Sequence, residues 1–279
     1  MQTLHNRRGT RSVQSRQNSR VKELRSALGH GGRTQEGRIA IEGLHLTEEA
    51  QRSGLRTETI FVREGDESLL DTLILSEESE VLILPADVFA SAVSTESPQG
   101  IAALVSPPVF VDDDAFLGIP LLVVAAGLQD PGNLGTLIRS SEAFGSTGIV
   151  ALPGTVSQWN PKALRASSGS AFRLPLISAS QEELITMLRQ RSIRLLATTV
   201  KGGVALDAID LVQPTALLIG NEGSGLPEAL IAAADALVTI PCPGPVESLN
   251  AAVAGSVLLY EASRQRSLAS NAGRKVTSP

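Results

Sequence analysis

The chain has 279 residues, a length that suits two domains of roughly 100–200 residues each. Hydrophobic residues make up 42% and charged residues 19%, which permits a large core and excludes wholesale disorder. One cysteine (Cys242) excludes an intrachain disulfide, and three scattered histidines (His5, His30, His45) make no metal cluster. No apolar run reaches the 18 or so residues of a membrane span, and the basic start lacks the apolar core of a secretory signal. A cytoplasmic, metal-free protein with no membrane partner is the expectation. Aromatics are only 3%, so the core must be aliphatic.

The net charge of −5 is unevenly spread. Residues 1–38 hold nine Lys/Arg against Glu23 and Glu36, a net of +7. Residues 39–105 hold three Arg against thirteen Asp/Glu, a net of −10. A basic start on an acidic body points to a polyanion partner, with a merely solvated tail as the alternative.

In chain order, residues 1–19 are rich in Arg, Ser, Gln and Asn and are predicted to be a flexible basic arm. A first domain spans 20–105. Val21, Leu24 and Leu28 have helical spacing, and 44–50 reads as a second helix. The apolar runs 39–41, 60–62, 81–84 and 101–105 read as short buried strands. Pro107, Pro108, Asp112 to Asp114 and Gly118 suggest a linker over 106–118. From 119 to 279, apolar strands (121–126, 148–152, 193–198, 215–219, 236–240) alternate with helices (134–144, 161–168, 182–191, 248–265). Strands without polar alternation, separated by helices, predict an α/β domain with a parallel sheet covered on both faces.

Ligands of such sheets bind beyond the carboxyl ends of the strands, where three loops concentrate polar residues. The first runs from Gln129 to Gly135, with Asn133 placed to cap the next helix and Arg139 about 9 Å further along it. A plain capped turn with a solvated Arg139 is the competing reading. The second contains Gly220, Asn221, Glu222, Gly223, Ser224 and Gly225. Its glycines allow close approach of backbone N–H groups to a ligand. It is neither a dinucleotide fingerprint nor a P-loop. The third runs from Ile240 to Asn250 with three prolines. Ser248 is expected to cap the last helix, whose stripe would be Leu249, Val253, Val257 and Tyr260.

Together, Asn133-x-Gly135-x-x-x-Arg139, Gly220 to Pro227, and Ile240 to Asn250 resemble the three ordered motifs of the SpoU (TrmH) RNA 2′-O-ribose methyltransferases of the SPOUT superfamily. The resemblance covers about 119–266. It extends more loosely to 20–105, where 42–49 and 94–100 look like the substrate-binding domain that precedes many members. Residues 162–169 resemble the family's connecting helix, and Cys242 stands where a methionine is common.

The resemblance implies a SPOUT-type α/β catalytic domain with a parallel sheet and a trefoil knot, preceded by a smaller α/β substrate-binding domain. The general rule against knots points the other way. It also implies S-adenosyl-L-methionine as cofactor, held at Thr198, Gly220, Asn221, Ile240 and Leu249, and a homodimer with sites assembled partly across the interface. Arg139, Asn133, Glu222, Ser248 and Asn250 would form the catalytic set, with no metal. The expected substrate is RNA, 23S ribosomal RNA before tRNA. A non-catalytic RNA-binding or ribosome-assembly protein of the same fold is the alternative from another class. An ordinary Rossmann dehydrogenase or kinase is disfavoured by the missing phosphate fingerprints.

Overall fold

A computed structural model describes residues 10–221, 223 and 225–276. In chain order the elements are β1 (Thr10–Ser12), α1 (Ser19–Gly29), β2 (Ile39–Glu42), α2 (Leu44–Arg52), β3 (Thr57–Arg63), β4 (Glu80–Leu84), α3 (Ala86–Ala92) and β5 (Ile101–Val105). There follow β6 (Leu121–Ala126), α4 (Pro131–Ala143), β7 (Gly148–Ala151), α5 (Pro161–Ser167), β8 (Leu176–Ser178), α6 (Gln181–Gln190) and β9 (Arg194–Thr198). The last are β10 (Val204–Ala205), β11 (Thr215–Gly220), α7 (Glu228–Ala233), β12 (Ala236–Thr239) and α8 (Ala251–Val276). No described helix is long and apolar enough to cross a membrane.

The chain forms two compact units, 1–109 with 157–173, and 110–156 with 174–279. The first carries a mixed sheet in the order β1-β4-β3-β5-β2. β5 runs antiparallel to β2 and β3, and the other pairs are parallel. Alternate residues face opposite sides of a strand. Ala40, Phe61, Leu82 and Leu104 therefore join Val21, Leu24, Val88 and Phe89 in one core cluster beneath α1 and α3. Ile39, Ile41, Ile60 and Ile101, also fully buried, lie on the other face, where α2 and α5 pack against β2.

Three boundaries differ from those read in the sequence. The arm expected over 1–19 is structured from residue 10: β1 pairs with β4, Val13 is buried, and Asn18 caps α1. Residues 1–9 lie outside the described residues. Four of the described arginines nearby are already paired with acids. Arg11 pairs with Glu80, Arg16 with Asp87, Arg20 with Glu23, and Arg38 with Glu23, Glu36 and Glu58. Burial pushes the Glu23 carboxyl up, but Arg38 and Arg20 outweigh it and hold the group below its ordinary value. Glu58, Glu80 and Asp87 of the acidic stretch thus neutralise part of the basic start. The segment expected as a linker over 106–118 divides at 109/110, and its distal part folds into the second unit, where Ala115 is fully buried in the core. Residues 157–173, placed by sequence in the second domain, join the first.

This return of the chain is locked at Gly32. Its φ is +86°, and a Cβ there would sit 1.6 Å from the Trp159 carbonyl oxygen. Only a residue without a side chain fits both the left-handed backbone and the close approach. Arg33 lies over the Trp159 ring at 5.6 Å, and Trp159 stacks on Phe172 at 6.5 Å.

The second unit holds a seven-stranded sheet in the order β10-β12-β9-β11-β6-β7-β8, parallel throughout. Leu122, Val124, Leu195, Ala197, Ala216 and Leu218 pack with Leu184, Leu188 and Leu230 of α6 and α7. α4 and α8 pack on one another over the opposite face, joined by a 2.7 Å Ser140–Ser256 hydroxyl bond. α8 is longer than the sequence suggests. Its Arg266 donates to the carbonyls of Leu211, Ile119, Pro120 and Gln213, near the amino ends of β6 and β11. The expected stripe Leu249, Val253, Val257, Tyr260 is not its buried face. Ala252, Leu258, Leu259 and Ala262 are buried, whereas Val253 and Tyr260 are 47% and 57% exposed.

Gly32→Ala is expected to destabilise the first unit by about 2–4 kcal/mol, combining left-handed strain with a backbone clash. Gly31→Ala, also at positive φ but with open space around it, should cost about 1 kcal/mol. Urea unfolding of the two variants checks the difference.

Candidate active site

The three polar loops all leave the carboxyl ends of parallel strands: β6, β11 and β12. Alignment of β6, β11, β9 and β12 side by side brings those ends together. A cavity of about 560 Å³ opens there, walled by the exits of β9, β11 and β12 and the start of α8. Thr198, Gly220, Asn221, Ile240, Leu249 and Ser248 all line it. Thr199, Lys201, Leu226, Val238, Val246 and Glu247 line it too and were not picked from the sequence. The rule that ligands sit beyond strand ends would have found 199–201 by extending the β9 exit a few residues.

The loop after β11 is held tightly. Asn221 and Gly225 exchange backbone hydrogen bonds at 3.2 and 2.9 Å. A Cβ on Gly220 would meet the Gly225 carbonyl oxygen at 2.8 Å, so glycine is needed for the loop to fold back. The Asn221 amide donates to the Gly127 carbonyl at 2.8 Å, and its oxygen accepts from the Gly223 N–H at 2.8 Å. Asn221 therefore ties this loop to the exit of β6. The Thr198 hydroxyl donates to the Leu218 carbonyl at 2.9 Å, which fixes this lining residue to the neighbouring strand. Glu222 lies outside the described residues.

Two helix caps differ from expectation, for one reason. Asp130, not Asn133, caps α4: its carboxylate accepts from the Asn133 N–H at 2.8 Å, and Pro131 occupies the first helical turn. Asn250, not Ser248, caps α8: its Oδ1 accepts from the N–H groups of Ala252 and Val253 at 2.9 and 3.2 Å. Each true cap releases its neighbour. Ser248 is exposed on the cavity lining. The Asn133 side chain accepts a 3.0 Å hydrogen bond from Asn250 Nδ2. The first and third motifs are thus joined side chain to side chain. Arg139 is exposed on the third turn of α4 and is not part of the cavity lining, and no described acid pairs with it.

Residues 120–260 match the model of the SpoU rRNA methylase family, and residues 18–103 match an MRM3-like substrate-binding domain. The chain is 32% identical over 250 residues to the Bacillus subtilis 23S rRNA (guanosine(2553)-2′-O)-methyltransferase RlmP, covering 90% of this chain and 98% of that protein. It is 32% identical over 286 residues to the 23S rRNA (uridine(2479)-2′-O)-methyltransferase of Streptomyces viridochromogenes, covering 96% of each. Its fold is similar to that of the SpoU methyltransferase AviRb from Streptomyces viridochromogenes in complex with AdoMet, with a TM-score of 0.78, 30% identity, and coverage of 89% of this chain and 98% of that one. The AdoMet-bound rRNA methyltransferase from Sinorhizobium meliloti is likewise similar, with a TM-score of 0.80, 30% identity, and coverage of 92% and 98%.

A parallel-sheet catalytic unit with this cavity, joined to a substrate-binding unit, defines a SpoU-type methyltransferase, and the chain belongs to the SpoU rRNA methylase family. It is an S-adenosyl-L-methionine-dependent RNA 2′-O-ribose methyltransferase. The cavity suits that cofactor. Its volume falls in the usual range of about 300–1,000 Å³ for small-molecule sites. Ile219, Val238, Ile240 and Leu249 offer apolar walls for a purine, while the loop peptide groups supply polar partners.

Asn250→Ala should lower stability by about 1–2 kcal/mol, through loss of the cap and of the bond to Asn133. Asn250→Asp keeps the capping oxygen and places negative charge at the helix start, so it should cost less. Thermal unfolding of both variants decides this; equal losses would show that capping is not the main contribution.

Proposed function

We propose that the chain methylates a ribose 2′-hydroxyl of 23S ribosomal RNA, acting as a homodimer. The observation that carries the reading is the cavity bounded by Thr198, Gly220, Ile240, Ser248 and Leu249, with the Asn133–Asn250 pair at its α8 edge. Support for the RNA class comes from RlmP and the Streptomyces enzyme, both named as 23S rRNA 2′-O-methyltransferases and both matched almost end to end.

When bound, S-adenosyl-L-methionine supplies an electrophilic methyl group, so no metal is needed to activate the donor. The chain's own residues hold and orient the acceptor. Peptide groups at 198–199, 220–221 and 240–249 bind, and the apolar walls exclude water. Ser248 on the lining, with Asn133 and Asn250, orients the ribose by hydrogen bonding. A guanidinium offers donors and no acceptor, so Arg139 anchors a phosphate or stabilises the developing alkoxide rather than acting as base. The hydroxyl proton then passes to a phosphate oxygen or to water. Glu222 is assigned to positioning Arg139 or its loop.

Support for a homodimer comes from where Arg139 sits. It lies off its own cavity lining, one turn before Phe144, whose ring meets Tyr260 edge-on at 5.8 Å. Val246, Val253 and Tyr260 leave an apolar surface beside it. Burying that surface against a second copy would bring Arg139 to a shared site.

Arg139→Ala should reduce turnover by about 10²-fold or more while leaving S-adenosyl-L-methionine affinity within about two-fold. Single-turnover methylation and cofactor titration measure the two separately, and near-normal turnover would remove Arg139 from the mechanism. Mapping 2′-O-methyl positions in total RNA with and without the gene tests the substrate. A site lost from 23S rRNA is expected; a site lost only from tRNA would overturn the ribosomal assignment.

A further inference from the structure

The first unit neutralises nearly all its arginines in place. Among its described arginines, the side chains of Arg33 and Arg165 alone make no ion pair and no hydrogen bond; each of the others is held by an acid or, for Arg25, by Ser91. Both unpaired arginines are exposed, and both belong to the structure built by the returning segment 157–173. Arg33 lies over the ring of Trp159, which is itself 6% exposed, so the guanidinium rests against a fixed platform while the residue stays exposed. Two residues after Trp159 begins α5, capped by Asn160. α5 buries Ala163, Leu164 and Ser167 and exposes Lys162 and Arg165, three apart and hence on one face. Its far end is fixed by a 2.8 Å bond between Ser168 and His45 Nε2. The helix spans about 10 Å at 1.5 Å per residue.

We infer that Arg33 and the outer face of α5 form a strip that binds the sugar–phosphate backbone of the RNA substrate. The inference rests on the RNA-methylating function above and assigns where that RNA is gripped outside the catalytic cavity. A paired arginine must surrender its carboxylate before it can meet a phosphate; Arg33 and Arg165 surrender only water and counterions. Sequence-independent affinity of this kind comes from counterion release and is measured by its salt dependence. With few aromatics in the chain, backbone contacts suit it better than base stacking.

The test is filter binding of the full-length protein to a naked 23S rRNA transcript from about 50 to 200 mM salt. The Arg33→Ala/Arg165→Ala double variant should bind about ten-fold more weakly. Its slope of log K against log salt should be shallower by roughly 1.4–1.8, at 0.7–0.9 per lost phosphate contact. Arg56→Ala, which removes an exposed arginine already paired with Glu78, should leave affinity within about two-fold. An unchanged urea unfolding transition in each variant shows that the first unit is intact. Wild-type affinity and slope in the double variant would overturn the strip, as would an equal loss in Arg56→Ala. Methylation of 23S rRNA by the wild-type chain separates the two readings: if it proceeds, such a result sinks the strip alone, and if it fails, the RNA assignment falls first and the strip with it.

Discussion

The side-chain amide of Asn250 joins two of the three loops of the catalytic site. Its oxygen receives the first free N–H groups of α8, and its nitrogen donates to Asn133 on α4. Because α4 starts at the exit of β6 and α8 at the end of the third loop, this one group sets the register of the cavity wall against the first motif. Asn221 does the same for the second loop by bonding the Gly127 carbonyl. Two asparagines with both ends of their amides committed thus fix three loops that share no secondary structure.

That arrangement explains why the cavity can be built from loops rich in glycine and proline. A loop without ladder hydrogen bonds is ordinarily the mobile part of a fold. Here the sheet supplies strand ends side by side, α8 is held at its far end by Arg266, and the loops between are tied by asparagines. Precision at the cofactor and ribose then needs no bulky core beneath the loops themselves.

Much of the second unit was legible because its strands are covered on both faces. Runs such as 121–126 and 215–219 carry no polar alternation and can be little else. The loop positions 198, 220, 240 and 249 came from the resemblance to the family's ordered motifs, and all four line the cavity. The caps were not, because Asp130 and Asn133 are both good cap residues three apart, as are Ser248 and Asn250 two apart. Only Pro131, a residue favoured at the first helical position, distinguished the first pair. The face of α8 was misread for a physical reason as well. Ala252, Leu258, Leu259 and Ala262 form its buried face, while Val253 and Tyr260 look outward. Both faces carry apolar residues at helical spacing, so periodicity alone does not choose between them. The allegiance of 157–173 was illegible altogether, since local pattern says that a helix forms and not what it packs on. The same holds for the arginines of the start, whose charge shows in a count and whose partners do not.

The crossing of 157–173 back to the first unit has a consequence for how such proteins can be recombined. The substrate-binding body is not encoded as one stretch of gene. A hybrid made by a single crossover near residue 109 would give one parent's sheet the other parent's Trp159, α5 and Phe172, set against a foreign Gly32 and Glu49. Exchange of the whole first unit between relatives therefore calls for three coordinated junctions, at 109/110, 156/157 and 173/174, and any single cut leaves at least one of the two units a mixture of two parents.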